Sequence, residues 1–174
     1  MTAFAAQLPA LLIGLCTVVL LLCHAVFGWV PILDHANLAF HEAGHPLFGL
    51  LSERLSVYGG TVMQLVFPAA CAWDFRRRDQ PNGLHASLLW FAENLLNVAR
   101  YIADARAQRL PLVGGVDPAD AHDWTEILGR WGLLQHDTVL AWGVRLAAVA
   151  LMAWTVRRAW RLAGGQHADG TLTR

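Results

Sequence analysis

Long apolar runs separated by short polar stretches set the pattern of this chain. Residues 9–30 are almost all apolar and are long enough for one helix to cross roughly 30 Å of hydrocarbon. Further apolar stretches lie at about 37–52, 60–75, 84–103 and 137–156. The pattern predicts an all-α fold, a polytopic transmembrane helical bundle with about five membrane segments, formed by one integral membrane domain over residues 1–174.

The polar stretches predict where the chain leaves the apolar layer. Residues 76–83 form a charged turn, residues 104–136 a polar loop, and residues 163–174 a flexible tail. Two consecutive glycines predict a further turn at residues 58–60. Because no basic region precedes the run at 9–30, we expect it to be retained as a helix rather than removed as a secretory signal.

Composition supports a membrane protein. Hydrophobic residues make up 56% of the chain and charged residues only 15%, which is more apolar than an ordinary soluble domain. All thirteen basic residues are Arg and the formal net charge is zero, so nucleic acid is not expected as a partner, whereas membrane lipid is. Cys16, Cys23 and Cys71 lie in apolar stretches without a CxxC pair and are interpreted as small membrane residues rather than ligands.

One motif carries candidate chemistry, the run His41-Glu42-Ala43-Gly44-His45. On a helix, His41 and His45 lie one turn apart on the same face, where two neutral imidazoles can bind one zinc ion. Glu42 lies beside them and is placed to take a proton from a zinc-bound water. The alternative is a helix that carries two histidines by chance. Three polar side chains at membrane depth are costly unless they bind or catalyse something, which favours the metal site.

The third metal ligand is open between Asp104 and His122, with Glu93 as a weaker candidate. A hydrolytic zinc site usually has three protein ligands and one open position. Asp104 ends the apolar stretch 84–103 and could point into a bundle as a ligand. The alternative to ligation is an ordinary helix-end aspartate that faces water or pairs with an arginine. His122 in the polar loop is the other candidate. Asn94 and Asn97 are candidate substrate-binding amides, although amides in apolar helices more often join helices to one another.

These residues resemble the site-2 protease type of intramembrane metalloprotease. Those proteins place an HExxH motif on a membrane helix, matched here by His41, Glu42 and His45, and take a third ligand from an Asp on a later helix. The stretch from Asn97 to Asp104 is similar to that second motif, with departures: it lacks the expected Pro, and alanines replace the Leu and Gly that flank the Asp. The chain also resembles small bacterial membrane proteins with an HEAGH motif. The resemblance implies a multi-pass protein of the bacterial inner membrane.

The resulting prediction is a membrane-embedded zinc metallopeptidase that hydrolyses peptide bonds of membrane-anchored proteins or peptides, with Glu42 as general base and Zn²⁺ as cofactor. One rival is a non-catalytic membrane protein in which the same residues form a structural or sensory metal site. A second rival, a transporter, needs further polar residues along a path, and the first and last apolar segments supply few.

Overall fold

The computed structural model describes residues 3–111, 113 and 122–172, and in these ranges the chain is helical, with no strand. The described residues form six α-helices, and a short 3-10 helix spans Leu134–His136. The helices are α1 Ala3–Val26, α2 Leu33–Gly49, α3 Glu53–Arg77, α4 Pro81–Ala103, α5 Asp123–Arg130 and α6 Asp137–Leu172. The all-α prediction is confirmed.

Three of the helices are long and apolar enough to cross a membrane. The spans are Gln7–Val26 in α1, Glu53–Arg77 in α3, and Leu134–Gly165, which includes most of α6. Large apolar side chains cover their outer faces, for example Leu15 and Trp142, each 60% exposed. Such faces suit contact with lipid. Of the five segments expected from the sequence, those in α2 and α4 remain predictions, because α2 has only 17 residues and α4 is rich in polar side chains.

Helix α4 is central and packs against α1, α3, α5 and α6. Its Ala92 and Ala99 are fully buried, and small residues at such contacts let helices approach closely in an apolar solvent. One apolar cluster joins α4 to α1 and α6, and a second joins it to α5 and α6. Because α4 has neighbours on several sides, its polar side chains Glu93 and Asn94 are buried in the interior.

Helices α2 and α3 form a hairpin whose backbones touch. A Cβ atom on Gly44 would lie 2.1 Å from the carbonyl oxygen of Gly59, and one on Gly59 would lie 2.2 Å from the carbonyl oxygen of Gly44. Only glycine fits on both sides of such a contact. The turn predicted at residues 58–60 is therefore wrong: these residues lie inside α3, where the missing side chains make room for α2.

Two prolines lie within these helices without ending them. Pro46 is inside α2, which continues to Gly49, and Pro68 is inside α3, which continues to Arg77. The sequence indicates a kink or break at Pro46 and an interruption at Pro68. Each proline removes one backbone hydrogen bond. Ending the helix there would expose more unpaired backbone groups in an apolar layer, so continuing it is less costly.

The predicted polar loop 104–136 contains α5, which its periodicity did not reveal. His122 caps α5, since its Nδ1 accepts a hydrogen bond from the backbone N–H of Thr125 at 3.3 Å. Arg106 and Asp137 form an ion pair at 2.7 Å that holds the start of α6. The remainder of the loop, 112 and 114–121, lies outside the described residues. Helix α6 continues to Leu172, through most of the predicted flexible tail, because adding a turn to an existing helix costs little.

Candidate metal centre

The HExxH motif is helical, as its spacing predicts. His41, Glu42 and His45 lie on α2, and each offers a ligand atom within 4.8 Å of the other two. His41 is buried, His45 is partly buried, and Glu42 is exposed. The histidine rings are 5.0 Å apart between centroids. The local geometry therefore brings two imidazoles and one carboxylate to a single place, as a metal centre requires.

A carboxylate from α5 joins the two histidines. The Oδ2 atom of Asp123 lies 2.9 Å from Nε2 of His41 and 3.4 Å from Nε2 of His45. Asp123 is 7% exposed, and its backbone N–H donates to the hydroxyl oxygen of Tyr101 at 3.1 Å. Three candidate ligands, two from α2 and one from the first turn of α5, thus converge at one point.

The second nitrogen of each imidazole meets a hydrogen-bond acceptor on α3. Nδ1 of His41 donates to Oε1 of Gln64 at 3.0 Å, and Nδ1 of His45 donates to the backbone carbonyl of Ser56 at 3.0 Å. A proton on Nδ1 leaves the lone pair of a neutral imidazole on Nε2. Both lone pairs then face the Asp123 carboxylate, and carboxylate oxygens are hydrogen-bond acceptors.

This arrangement of donors fits a zinc ion. Lone pairs that face one another repel, so a proton or a metal cation has to lie between the imidazoles and Asp123. One proton satisfies only one of the two histidines, whereas a metal ion satisfies all three groups. Zinc-binding histidines usually donate their outer N–H to a carbonyl or carboxylate, as His41 and His45 do here. Two imidazoles and a carboxylate are also ligands that suit zinc.

Gly60 sets the position of the His41 ring. A Cβ atom at residue 60 would lie 2.5 Å from Nε2 of His41, closer than side chains pack. We expect Gly60→Ala to displace the imidazole and lower zinc affinity by at least about 10-fold. Removing a residue that hydrogen-bonds to a metal ligand lowers metal affinity by a similar factor. Competition with a fluorescent zinc chelator measures this. The matched control is Gly143→Ala on α6, where a Cβ meets nothing within 4 Å; equal zinc affinity in both variants would contradict the prediction.

The two predicted third ligands, Asp104 and His122, lie beside each other, and their role as metal ligands stays a prediction. Oδ2 of Asp104 lies 3.4 Å from Nε2 of His122, and the same carboxylate accepts hydrogen bonds from the backbone N–H groups of Arg109 and Leu110. Among the described residues, neither Asp104 nor His122 contacts His41 or His45 through a hydrogen bond or an ion pair. Burial lowers the pKa of His122. Asp104 therefore holds the backbone at Arg109 and Leu110, and His122 caps α5, the helix that carries Asp123.

Sequence reasoning missed Asp123 and Tyr101. Asp123 directly follows His122, and an acidic residue in the first turn of a helix has an ordinary role beside the helix dipole. Tyr101 lies between the two groups, with its ring 5.8 Å from that of His41 and 4.3 Å from that of His122. The useful signal was the pair His122-Asp123, in which either residue could be the ligand.

A cavity of about 510 Å³ opens beside the motif. His41, Glu42 and Gln64 form its wall on the side of the metal centre. Its other walls combine polar with apolar side chains: Trp29, Asp34, Asn37, Leu38, Asn97, Arg100, Tyr101, Leu110, Pro111 and Val113. A ligand of several residues can therefore reach both Glu42 and one of the candidate zinc ligands.

The two predicted substrate-binding amides differ in position. Asn97 lines the cavity, while its Nδ2 donates to Oδ1 of Asp34 and to Oε1 of Glu93, each at 2.6 Å. Asn94 is fully buried and donates to Oδ1 of Asn37 at 3.1 Å. Asn94 thus joins α4 to α2, the commoner role for an amide in such a helix. Binding of substrate by Asn94 and Asn97 stays a prediction.

A second group of ionisable side chains lies at the other end of α2. His24, Asp34 and Glu93 also offer ligand atoms within 4.8 Å of one another. Here all four carboxylate oxygens accept hydrogen bonds, and the donors are the backbone N–H of Val30 and the side chains of His24, Asn37 and Asn97. A polar network satisfied in this way holds α1, α2 and α4 together.

Comparison with protein-family models, curated proteins and solved structures finds no match to this chain.

Proposed function

We propose that this protein is a membrane-embedded zinc metallopeptidase that hydrolyses peptide bonds of membrane-anchored substrates. The observation that carries the proposal is the convergence of Nε2 of His41 and Nε2 of His45 on one oxygen of Asp123. Asp123 takes the place of third ligand in this proposal, and Asp104 does not. The exposed apolar faces of α1, α3 and α6 support a multi-pass protein in contact with lipid, which we assign to the bacterial inner membrane.

Zinc, when bound, would supply a Lewis acid that lowers the pKa of water and polarises a carbonyl. His41, His45 and Asp123 would hold it, and the acceptors on α3 fix the tautomers of the two rings. Glu42 follows His41 on α2 and faces the cavity. Its carboxylate takes a proton from the attacking water and returns it to the nitrogen of the leaving amine.

The walls of the cavity suit a largely apolar peptide. Its apolar walls, which include Trp29 and Leu38, suit side chains that come from the membrane. Hydrogen bonds inside a helix protect its peptide groups, so the substrate has to unwind before water can reach the carbonyl carbon. Asn97 lines the same cavity and offers a polar group to a substrate backbone.

The number of protein ligands favours catalysis over a purely structural site. Structural zinc sites are usually closed by four protein ligands, whereas catalytic sites have three and keep one position open. Among the described residues, Glu42 clusters with His41 and His45, Asp123 contacts both imidazoles, and Glu42 lies toward the cavity. His122, whose ligation would favour a structural site, contacts Asp104 instead.

Appearance of new amino termini in membrane-anchored peptides tests the proposal. The protein is reconstituted in liposomes with zinc, and the peptides are analysed by mass spectrometry. Cleavage that needs both zinc and Glu42 supports the peptidase. Full cleavage after zinc removal, or no cleavage of any peptide by zinc-loaded protein, would favour a different function.

Substitutions of Gln64 test whether its hydrogen bond to His41 is needed for zinc binding. We expect Gln64→Ala to weaken zinc binding about 10- to 100-fold, because His41 loses the acceptor that holds its N–H on Nδ1. Gln64→Glu keeps an acceptor in place and should retain affinity better than the alanine variant. Competition with a chelator measures both. Equal affinity of Gln64→Ala and wild type would show that Gln64 does not orient the ring.

A further inference from the structure

Arg100 is the one basic side chain among the described residues that line the cavity beside Glu42. It lies on α4 next to Tyr101, whose ring contacts that of His41. An arginine within a membrane bundle is costly unless an anion or several acceptors surround it. The neighbours of Arg100 therefore indicate what its guanidinium group is for.

One nitrogen of the guanidinium group is hydrogen-bonded to the backbone. Its Nη1 donates to the carbonyl oxygen of Gly28, in the turn that follows α1. Gly28 has a φ of +63°, and a Cβ atom there would lie 3.1 Å from Cζ of Arg100. The absence of a side chain at residue 28 thus allows the group to lie flat against the turn, with one nitrogen fixed.

The described carboxylates of the cavity do not form an ion pair with Arg100. In the described part of the chain, Arg100 forms no ion pair within 4.0 Å. Asp34 lines the same cavity, but its Oδ2 accepts from the backbone N–H of Val30 and its Oδ1 from Asn37 and Asn97. Glu42 is reserved for proton transfer in the proposed mechanism.

We infer that Arg100 binds a carboxylate of the substrate, and that the preferred substrates are apolar peptides with one carboxylate close to the cleaved bond. This inference rests on the proposed peptidase function. The planar guanidinium group matches a carboxylate with two parallel hydrogen bonds, while the apolar walls accept the rest of the peptide. The carboxylate comes from an acidic side chain or from a free carboxyl terminus.

Peptide binding to zinc-loaded Glu42→Gln protein in liposomes tests the inference without requiring cleavage. The probes are fluorescent membrane-spanning peptides of Leu and Ala with an amidated carboxyl terminus, in which a Glu or a Gln is moved along the central residues. A third probe is a shorter peptide of Leu and Ala with a free carboxyl terminus, compared with its amidated twin. We expect the carboxylate member of at least one pair to bind about 10- to 100-fold more tightly.

The pair that shows the preference identifies the source of the carboxylate. A Glu preference with amidated termini assigns it to a side chain, and a preference for the free terminus assigns it to the end of the peptide. Equal binding of both members in every pair would overturn the inference. So would a preference that is unchanged in Arg100→Gln.

Variants at Arg100 and Gly28 distinguish a loss of carboxylate binding from a loss of folding. Arg100→Gln should abolish the preference and Arg100→Lys should keep part of it, while zinc content reports that the site is intact. Gly28→Ala leaves Arg100 in the chain but displaces its guanidinium group, so it should reduce the preference as well. Arg145→Gln, on α6 and outside the cavity, is the matched control and should keep it.

The inference and the proposed function can fail separately. An Arg100-dependent preference in zinc-loaded protein that cleaves nothing would support carboxylate binding and overturn the peptidase. Cleavage that depends on Glu42, with no preference in any pair, would support the peptidase and overturn the role of Arg100.

Discussion

Replacing Glu42 with Gln should lower peptide-bond hydrolysis by about 100- to 10,000-fold and leave zinc binding almost unchanged, the range expected for loss of a general base. Gln has nearly the same shape but no basic oxygen, so it cannot take the proton of the attacking water. Glu42 is exposed and lines the cavity, so the substitution should not disturb buried packing. The readout is the initial rate of cleavage of a membrane-anchored peptide in liposomes, with zinc measured on the same sample.

The matched control is Glu53→Gln. Glu53 is an exposed carboxylate in the first turn of α3 and lies outside the cavity. Its substitution should leave the rate within about twofold of wild type, since surface changes are usually mild. If Glu42→Gln cleaved at the wild-type rate with zinc bound, the proton-transfer role of Glu42 would be wrong and another base would have to be sought.

The second large effect concerns the third ligand. Wild-type protein purified without chelator should contain about one zinc per chain, the stoichiometry of one three-ligand site. We expect His41→Ala and Asp123→Asn to lose it, because each removes a donor from the point where the ligands meet. The loss of zinc affinity should be larger than the decrease of about 10- to 100-fold that follows removal of a residue hydrogen-bonded to a metal ligand. Elemental analysis of detergent-solubilised protein measures the content.

Asp104→Asn and His122→Ala complete this experiment. Asp104 and His122 lie beside each other, and His122 caps α5, the helix that carries Asp123. Both variants should keep zinc, although His122→Ala also removes the cap. Circular dichroism confirms that each variant is helical. Zinc lost in Asp104→Asn and kept in Asp123→Asn would restore the ligand set predicted from the sequence. Metal-free wild-type protein would overturn the zinc centre.

The effects of Glu42→Gln and of the ligand variants together distinguish a catalytic metal site from a structural one. A structural metal site predicts that removing a ligand unfolds the protein and that Glu42→Gln has no consequence. A catalytic site predicts that Glu42→Gln abolishes turnover in folded, zinc-loaded protein. The polar network of His24, Asp34 and Glu93 holds one end of α2 independently of the metal, so we expect the bundle to survive loss of zinc.

Local periodicity was sufficient to predict most of the long helices, and residue spacing to predict the shared face of the motif, whereas α5 was not predicted. Apolar runs of helical length predict membrane segments from composition alone, and three of them are long and apolar enough in the structure. The spacing of His41 and His45 predicts their common face, because four residues make about one turn of any α-helix. The presence of Glu42 beside them follows from the same geometry.

Contacts between distant parts of the chain were not predictable in the same way. The glycine pair at residues 59 and 60 has the composition of a turn, and only the approach of α2 shows why side chains are absent there. Asp104 and His122 satisfy the same chemical criteria as Asp123, and nothing in local spacing distinguishes them. The distinction depends on where α5, which begins at Asp123, packs against α3 and α4.

The sequence by itself therefore determined the all-α class, the course of the main helices and the helix face that His41 and His45 share. The tertiary structure decided which carboxylate joins them, since Asp123 lies 82 residues from His41 along the chain and meets it only through packing. It also decided that Arg100 and Glu42 share one cavity. Helix geometry is set by bonds between near neighbours, whereas a site assembled from α2, α3, α4 and α5 is set by the packing of the whole bundle.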